Sequence, residues 1–428
     1  MRKYWTIALI FAMLFILAPT LRGSGFLIYE HGAAAQAMAG AFVSIANNPT
    51  AVFHNPAGMI WLPGTQVSLG NTFIIPKGSL NLPNWPDPSN RSFKQANQTF
   101  YAPNFYLTHK FGPKVAAGIG VFAPYGLGTK WPAAYPLRYI GTSNDMQTIF
   151  INPAVAFLLT DNLSIGVGAS YITSKLSLNL VRLQEVGPYS FDVPASVDDI
   201  KGTAWALNAG ILYKTPDVSL GFTWRGNFDI KYKGSLTLDL VNIPAPYKPY
   251  FPTTGDVQTT FKFPDIFTAG VSFNLTDALL LAFDVQYYTW NRYDKYTIGI
   301  TYPAGYPPAE PETVTENWKN TWLFRSGLQY QLSDCFALRG GIAFDQTPQP
   351  VASMDPNLPD ASRVALTLGF GYKIGKFTID VAGQYEKFND RNSPNRMIYY
   401  VPAYGLNLGE GTYKTTGYLF GVSLGYAF

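Results

Sequence analysis

Large apolar and small residues alternate at the carboxyl end of this chain. Such a period of two places successive side chains on opposite faces of a β-strand. The alternation predicts a strand with one face toward lipid and the other toward the filled lumen of an outer-membrane barrel. An edge strand of a soluble sandwich is the alternative. The large residues are Tyr418, Phe420, Val422, Leu424, Tyr426 and Phe428, and the small ones are Gly417, Gly421, Ser423, Gly425 and Ala427.

The same period recurs upstream, with charged residues confined to the less apolar face. Phe377, Ile379 and Val381 alternate with positions that include Asp380 and Glu386. A charged side chain facing lipid at mid-bilayer costs about 2–4 kcal/mol. We therefore expect these carboxylates to point into a lumen.

Connections of two lengths separate the alternating stretches. Short turns such as Gly112-Pro113 and Asp161-Asn162 alternate with longer segments rich in Pro and Gly. This asymmetry is typical of outer-membrane barrels, whose periplasmic turns are short. The sequence predicts an all-β fold, a 14-stranded antiparallel transmembrane β-barrel. The predicted strands are 66–75, 99–110, 114–125, 146–159, 162–183, 200–214, 217–239, 256–273, 278–301, 316–331, 335–345, 360–373, 376–388 and 411–428.

The amino-terminal residues have the layout of a secretory signal peptide. Arg2 and Lys3 precede an apolar run from Trp5 to Ala18, and small residues follow. The run is shorter than the roughly 18 apolar residues of a spanning helix. We assign residues 1–23 to a signal peptide, with cleavage between residues 20 and 25.

Residues 24–64 do not alternate. They contain a small-residue stretch, Gly32 to Gly40, and turn signals at Asn47-Asn48-Pro49 and Asn55-Pro56. We expect a segment this apolar to be buried, and a barrel of this size has room for a plug. We predict a hatch of short helices at 24–64 that plugs the lumen of a barrel formed by 65–428.

The composition agrees with a membrane barrel and does not indicate a nucleic-acid partner. Only 14% of residues are charged and 16% are aromatic, whereas a soluble exterior needs more charge. The net charge of +4 is too small and dispersed to indicate nucleic acid. Cys335 is the sole cysteine, so no intramolecular disulfide can form.

Several motifs, in order along the chain, resemble the FadL/TodX family of outer-membrane transporters for long-chain fatty acids and aromatic hydrocarbons. The resemblance implies a fourteen-stranded barrel with an N-terminal hatch. It further implies capture of hydrophobic compounds at outer loops, a pocket beside the hatch, and lateral exit through a gap at strand 3. The motifs are Gly25-Phe26, Ala39-Gly40-Ala41, residues 51–59 (AVFHNPAGM), Arg138-Tyr139, residues 152–156 (NPAVA), residues 206–213 (ALNAGILY), Tyr288-Thr289-Trp290, residues 339–345 (RGGIAFD) and residues 359–363 (PDASR).

Two short motifs carry these expectations. Asn55, Pro56 and Ala57 match the hatch motif; Asn55 can bond the backbone two residues on, so a structural role is expected ahead of ligand contact. For the gap, Pro124 removes a ladder donor, and Gly126 and Gly128 weaken a strand. The alternative is a strand that merely ends in a loop.

Loop aromatic residues are candidates for ligand capture. Trp131, Tyr135 and Tyr139 lie in one predicted loop, and further aromatic residues lie in two others. The alternative is that they belong to the interfacial aromatic girdle.

Charge bears on the choice between fatty acid and hydrocarbon. A carboxylate ligand needs Arg or Lys nearby. The resemblance places a lysine just before the tenth strand, whereas residues 313–318 here read TVTENW, which favours neutral hydrophobic ligands. Arg325 and Arg339 are the substitute candidates for a carboxylate, although pairing with Asp284 or Asp380 is expected instead.

A general diffusion porin and an outer-membrane hydrolase are the alternative functions for such a barrel. A general diffusion porin would conduct ions, and an outer-membrane hydrolase would need a His with a carboxylate or Ser on the outer rim. His31 and His54 lie in the predicted hatch and His109 at a periplasmic turn, so we expect no enzyme activity. No cofactor or metal motif is present in the sequence. We predict a passive, monomeric channel in the bacterial outer membrane whose partners are hydrophobic small molecules and membrane lipid.

Overall fold

A computed structural model describes residues 25–85, 87–393 and 411–428. Most of them belong to a 21-stranded antiparallel sheet. The strands are β1 (Thr65–Asn81), β2 (Ser92–Lys94), β3 (Phe100–Lys110), β4 (Val115–Phe122), β5 (Gly126–Lys130), β6 (Ser143–Thr160), β7 (Leu163–Val186), β8 (Tyr189–Lys214), β9 (Val218–Arg225), β10 (Phe228–Leu238), β11 (Thr254–Phe263), β12 (Ile266–Asn274), β13 (Leu279–Tyr288), β14 (Lys295–Thr301), β15 (Glu312–Thr315), β16 (Thr321–Ser333), β17 (Phe336–Asp345), β18 (Arg363–Ile374), β19 (Phe377–Phe388), β20 (Arg391–Asn392) and β21 (Thr412–Ala427).

The helices are all short. None of them, in the part of the chain described, is long and apolar enough to cross a membrane. The α-helices are α1 (Ala33–Gln36) and α2 (Ala51–His54), and the 3-10 helices are η1 (Pro56–Trp61), η2 (Leu240–Asn242), η3 (Lys248–Tyr250), η4 (Trp290–Arg292) and η5 (Val351–Ser353).

The sheet closes into a barrel. β1 pairs with β3 along one edge and with the last strand, β21, along the other. From β3 the antiparallel pairing runs through β4, β6, β7, β8, β9, β12, β13, β16, β17, β18 and β19 back to β21. β10 pairs with β8 and with β11, and β11 pairs with β14. The described strands thus form a closed ring, the arrangement by which a β-structure spans a membrane.

The prediction of fourteen strands is wrong, because the barrel has sixteen. Sixteen strands have eight residues or more, and β2, β5, β14, β15 and β20 are shorter. The two additional strands arise because the predicted strands 217–239 and 256–273 are each divided, into β9 and β10 and into β11 and β12.

A polar cluster between neighbouring strands explains both divisions. Pro264 follows β11 and has no N–H to donate, so the ladder stops there. The next residue, Asp265, accepts hydrogen bonds from Asn227 N at 3.1 Å and Trp224 Nε1 at 3.0 Å. Asn227 Nδ2 also donates to Asp265 Oδ2 at 2.7 Å. The side chain of Asp265 thus bonds the backbone at the break that separates β9 from β10.

The predicted loop at 184–199 is also wrong. β7 and β8 continue through it as an extended hairpin that turns at Gly187, where φ is +57°. Buried Val193 packs with Leu236 and Leu238 of β10 in one apolar cluster. This contact between residues far apart in sequence stabilises the hairpin. The loop was predicted from Pro and Gly content alone, which contains no information about such a contact. The predicted loop 389–410 falls largely on residues 394–410, outside the described residues, as does the signal peptide.

The alternating pattern is confirmed. On β18, Leu366 is 52% exposed and Leu368 is 71% exposed, whereas Ala365 and Thr367 between and beside them are buried. On β21, Tyr418, Phe420 and Leu424 are exposed and Ser423 is buried. The outer face of the barrel is therefore apolar, as a lipid-facing surface requires.

Residues 25–64, here called the N-terminal segment, lie within the ring of strands. Inward-facing residues from opposite parts of the wall bond its backbone. Ala33 N donates to Ser423 Oγ at 2.9 Å and Phe42 N to Asp284 Oδ2 at 2.9 Å, while Thr367 Oγ1 donates to Ala37 O at 2.9 Å and Ser164 Oγ to Ala57 O at 2.9 Å. Because β21, β13, β18 and β7 all contribute, the wall encloses the segment.

Inward-facing glycines permit this close approach. A Cβ at Gly221 would lie 2.5 Å from the carbonyl oxygen of Val43, and a Cβ at Gly166 would overlap the backbone nitrogen of Ala57. Both contacts are with backbone, which cannot swing aside. The small residues on the inner face therefore reflect contact with the N-terminal segment.

Replacing Gly166 by Ala should destabilise the protein by about 1–3 kcal/mol, the usual effect of overpacking. The matched control is Gly340→Ala, since a Cβ at Gly340 would have its nearest neighbour, Thr367 O, at 3.6 Å. Thermal unfolding in detergent, followed by tryptophan fluorescence, compares the two. Equal midpoints would contradict the close approach of the segment to β7.

Candidate functional site

The Asn55-Pro56-Ala57 motif fixes the N-terminal segment to the wall. Asn55 is fully buried, and its Oδ1 accepts from Ala57 N at 3.1 Å, the bond two residues on that the sequence predicted. Its Nδ2 donates to Val43 O at 3.0 Å and to Ile211 O of β8 at 3.1 Å. Pro56 begins η1, where its missing N–H does no harm. One side chain therefore joins two parts of the segment to the barrel.

The third predicted strand, 114–125, corresponds to β4, and a break separates β4 from β5. β4 ends at Phe122, β5 begins at Gly126, and Pro124 lies between them. The N-terminal segment bonds this break: Ile28 N donates to Pro124 O at 2.8 Å, and Gly126 N donates to Phe26 O at 3.2 Å. The recorded pairs between β3 and β4 reach only to Phe105 opposite Val121, and β5 pairs with β6.

A cavity of about 230 Å³ lies beside this break. Gly126 and Gly128 line it, together with Gly25 and Phe26 of the N-terminal segment. Apolar side chains from β6, β7, β8, β11 and β14 form most of the remaining surface. They are Met146, Leu176, Leu178, Val197, Ile200, Val257, Phe261, Tyr296 and Ile298.

An aromatic group closes the cavity next to Phe26. The Phe26 ring lies 5.0 Å from the Trp290 ring and 5.7 Å from that of Trp318, centroid to centroid. Tyr293 lies 4.8 Å from Trp318 and lines the cavity itself. Gly25, at φ +68°, approaches so close that a Cβ would lie 2.7 Å from the Trp318 ring. The start of the N-terminal segment is thus packed against rings that border the cavity.

The polar part of the cavity carries carboxyl groups from two loops. Glu316 follows β15, and Asp355 and Asp360 lie between β17 and β18. Burial and the neighbouring Asp355 raise the pKa of Glu316 to about 8, and burial raises the pKa of Asp360 to about 6. Burial also raises the pKa of Asp355.

Arg363 is the one cationic side chain among the described residues that line the cavity. Its Nη2 lies 2.9 Å from Asp345 Oδ2, and its Nε lies 3.6 Å from Glu386 Oε1. Gln384 Nε2 bridges Glu386 to Glu30 of the N-terminal segment, at 3.0 and 2.8 Å. Burial and the charge of Glu386 raise the pKa of Glu30 to about 7. The positive charge of Arg363 is therefore already paired with two carboxylates of the barrel wall.

The predicted arginine candidates lie away from the cavity lining. Arg325 Nη1 donates to Gly40 O at 3.2 Å, and its guanidinium lies 4.5 Å from the centroid of the Tyr29 ring. Arg339 Nη1 lies 2.6 Å from Asp380 Oδ1, a pairing that the sequence predicted. Arg325 therefore bonds the N-terminal segment, and Arg339 neutralises a carboxylate of the barrel wall.

The predicted aromatic candidates form part of a loop cluster. Trp131 and Tyr135 are buried and stack with ring centroids 5.5 Å apart. Trp131 Nε1 donates to Pro356 O at 2.9 Å. Tyr139 is half-buried, and its hydroxyl donates to Asp192 Oδ1 at 2.8 Å beside the Arg138–Asp192 ion pair. None of these three lines the cavity in its described part.

Two of the three histidines, His31 and His54, lie close together, and His109 lies apart from them on β3. His31 and His54 are buried in the N-terminal segment, where burial lowers the pKa of each to about 3. His54 Nε2 lies 2.8 Å from His31 O, and the exposed His109 Nδ1 lies 2.7 Å from Thr65 Oγ1. Among the described residues no group of His, Cys, Asp and Glu is arranged to hold a metal ion.

Sequence reasoning did not identify the carboxyl groups of the cavity. Asp360 and Arg363 belong to the PDASR motif, and Glu316 occupies the stretch noted for its missing lysine. The motifs therefore contained these residues, but they did not indicate that the side chains line a cavity. Their assembly depends on contact between two loops about forty residues apart, which no local pattern encodes.

Comparisons with known proteins agree on the fold. A family model described as outer membrane protein transport protein (OMPP1/FadL/TodX) matches residues 15–428. The long-chain fatty acid transport protein of Salmonella typhi is 24% identical over 416 residues, covering 90% of this chain and 89% of that protein. The structure of a Pseudomonas aeruginosa FadL homologue aligns with a TM-score of 0.80 at 19% identity, over 94% of this chain and 99% of that one. The Pseudomonas putida toluene transporter TodX aligns at 0.72 and 17% identity, over 95% and 100%.

Replacing Asn55 by Ala should lower the free energy of unfolding by about 1–3 kcal/mol, because the substitution leaves buried backbone groups unpaired. The control is Asn162→Ala, at an exposed turn. Chemical denaturation from lipid vesicles measures both variants. A loss no larger for Asn55→Ala than for the control would contradict the anchoring role.

Proposed function

The chain belongs to the OMPP1/FadL/TodX family of outer-membrane transport proteins, and on that premise we propose that it is a channel for passive uptake of hydrophobic compounds. The relatives named above transport long-chain fatty acids or toluene, and none is named as an enzyme. The protein resides in the bacterial outer membrane.

The observation that carries the proposal is the apolar cavity between the N-terminal segment and the wall. Leu176, Ile200, Val257 and Phe261 give it a surface that a water-filled pore lacks. Burial of each methylene contributes about 0.8 kcal/mol, so a chain of ~15 methylenes gains ~12 kcal/mol when fully buried. That corresponds to nanomolar binding. A toluene-sized ligand gains only a few kcal/mol, and its release needs correspondingly less assistance.

Release is proposed to occur laterally, at the break between β4 and β5. Pro124 has no N–H for a ladder, and Gly126 and Gly128 line the cavity. Phe26 and Ile28 of the N-terminal segment now bond the edges of the break. A shift of this segment, acting as a hatch held by Asn55, Pro56 and Ala57, would open a path from the cavity through the wall.

Capture is proposed to begin at the loop cluster that contains Trp131 and Tyr135. Both rings are buried against Leu82, Phe93 and Met354. An apolar compound that inserts between these loops would reach the residues that border the cavity, because Trp131 bonds Pro356 and the adjacent Asn357 lines the cavity. Tyr139 lies at the rim of this cluster.

A general diffusion porin is the alternative function. It would need an open water-filled lumen, whereas the buried N-terminal segment contacts opposite sides of the wall. The family membership and the apolar cavity favour a channel for hydrophobic compounds.

Uptake of labelled oleate and labelled toluene tests the proposal in a host that lacks its own transporters. Cells that express the protein should take up at least one of them several-fold faster than cells with an empty vector. Absence of uptake of both compounds would contradict the proposed function.

A variant that blocks the break tests the exit path in the same assay. Gly126→Val should reduce uptake severely, since the new side chain enters the lining beside Met146 O and Ile28. Gly112→Val is the matched control, because a Cβ there meets nothing within 4 Å. Equal uptake by two variants present in the membrane at equal amounts would argue against a lateral exit.

A further inference from the structure

The cavity described above carries more acidic than basic groups at its polar part. Glu316, Asp355 and Asp360 line it, whereas Arg363 is the one cation among its described lining residues. Arg363 lies within 2.9 Å of Asp345 and 3.6 Å of Glu386. Its positive charge is therefore already opposed by two carboxylates outside the trio.

The carboxyl oxygens keep capacity to accept hydrogen bonds. Glu316 Oε2 accepts from Trp318 Nε1 at 3.0 Å. Asp355 Oδ1 accepts from the backbone nitrogens of Asn357 and Leu358, at 2.8 and 3.2 Å. Since a carboxylate has about four acceptor positions, a further donor can bind each of these groups.

A second, independent observation points to a polar ligand group. Thr259 lines the same cavity, is only 8% exposed, and its hydroxyl has no hydrogen-bond partner. Buried hydroxyl groups are ordinarily bonded, and leaving one unpaired is unfavourable. The cavity thus offers an unsatisfied hydroxyl as well as acceptors, inside an apolar enclosure.

Such a surface discriminates between head groups on the same alkyl chain. The one cation of the described lining, Arg363, already pairs with Asp345 and Glu386. Once Glu316 is ionised, above its pKa of about 8, a carboxylate brought beside Glu316 and Asp355 is repelled as a like charge. An ammonium or a hydroxyl group instead donates to these oxygens, and a donor bonded to an ionised acceptor forms the stronger kind of hydrogen bond. The chain of the ligand packs on Leu176, Val197 and Ile298 in either case.

Accepting the proposed function, we propose that the cavity selects amphiphiles with a hydrogen-bond-donating, uncharged or cationic head group, which Glu316, Asp355 and Asp360 receive, over fatty-acid anions. The alkyl chain lies against the apolar walls. Alcohols and primary amines share this donor chemistry, and the experiment below distinguishes them.

The test is titration calorimetry of the full protein in nanodiscs, with empty nanodiscs subtracted. The ligands are 1-aminodecane, 1-decanol, decanoate and n-decane at pH 9, above the pKa of about 8 of Glu316, where the amine is still largely protonated and decanoate is ionised. The amine should bind roughly tenfold or more tightly than decanoate, as expected for a hydrogen bond to a charged group. Decanol should lie between them if the uncharged donor suffices, and should equal the amine if charge contributes nothing.

Substitutions identify the acceptors. Glu316→Gln combined with Asp355→Asn keeps side-chain size and removes two of the three carboxyl groups, so the preference for the amine over decanoate should fall several-fold, with Asp360 left to supply the remainder. Glu310→Gln, at an exposed position of the preceding loop, should leave the preference unchanged. Binding of n-decane should be alike in all three proteins, which also reports that the variants are folded.

The outcomes separate the two proposals. Binding of n-decane without preference among head groups, or tighter binding of decanoate, would overturn the head-group inference and leave the proposed function standing. An unchanged preference in the double variant would likewise overturn it. Absence of binding by all four ligands would contradict the proposed function and the inference together.

Discussion

Close contact between the backbone of the N-terminal segment and the inner face of the barrel is the constraint on which the structure depends. A barrel wall of sixteen strands encloses a space that its own side chains do not fill. Here the segment fills it, and inward-facing glycines such as Gly166 and Gly221 let backbone meet backbone. The alternation of large and small residues along each strand is therefore set by lipid outside and by the segment inside.

The same contact provides hydrogen-bond partners for polar groups inside the barrel. The segment has only short helices, so many of its N–H and C=O groups need partners elsewhere. Asn55, Ser164 and Asp284 supply them from within the segment and from the wall. Where its first residues reach the break between β4 and β5, they bond the strand ends and border an apolar cavity. The same segment thus lies within the ring of strands, bonds the residues at the break and forms one side of the proposed ligand site.

Sequence reasoning succeeded where a local pattern determines structure. The alternation at the carboxyl end predicted the exposed Tyr418 and Phe420, and Asn55 makes the backbone bond that its motif predicted. It failed where distant residues decide. Asp265 bonds Asn227 at the break between β9 and β10, and breaks of this kind give sixteen strands in place of the predicted fourteen. Glu316 and Asp355 share one cavity only because two loops meet. Periodicity within a strand contains no information about either contact.

The most direct measurement of the central claim is ion conductance in planar lipid bilayers, for the full protein and for a variant without residues 25–64. If the N-terminal segment fills the lumen, the full protein conducts little and the shortened variant gives a large, steady conductance. Large steady conductance by the full protein, or equal conductance by both, would contradict the account.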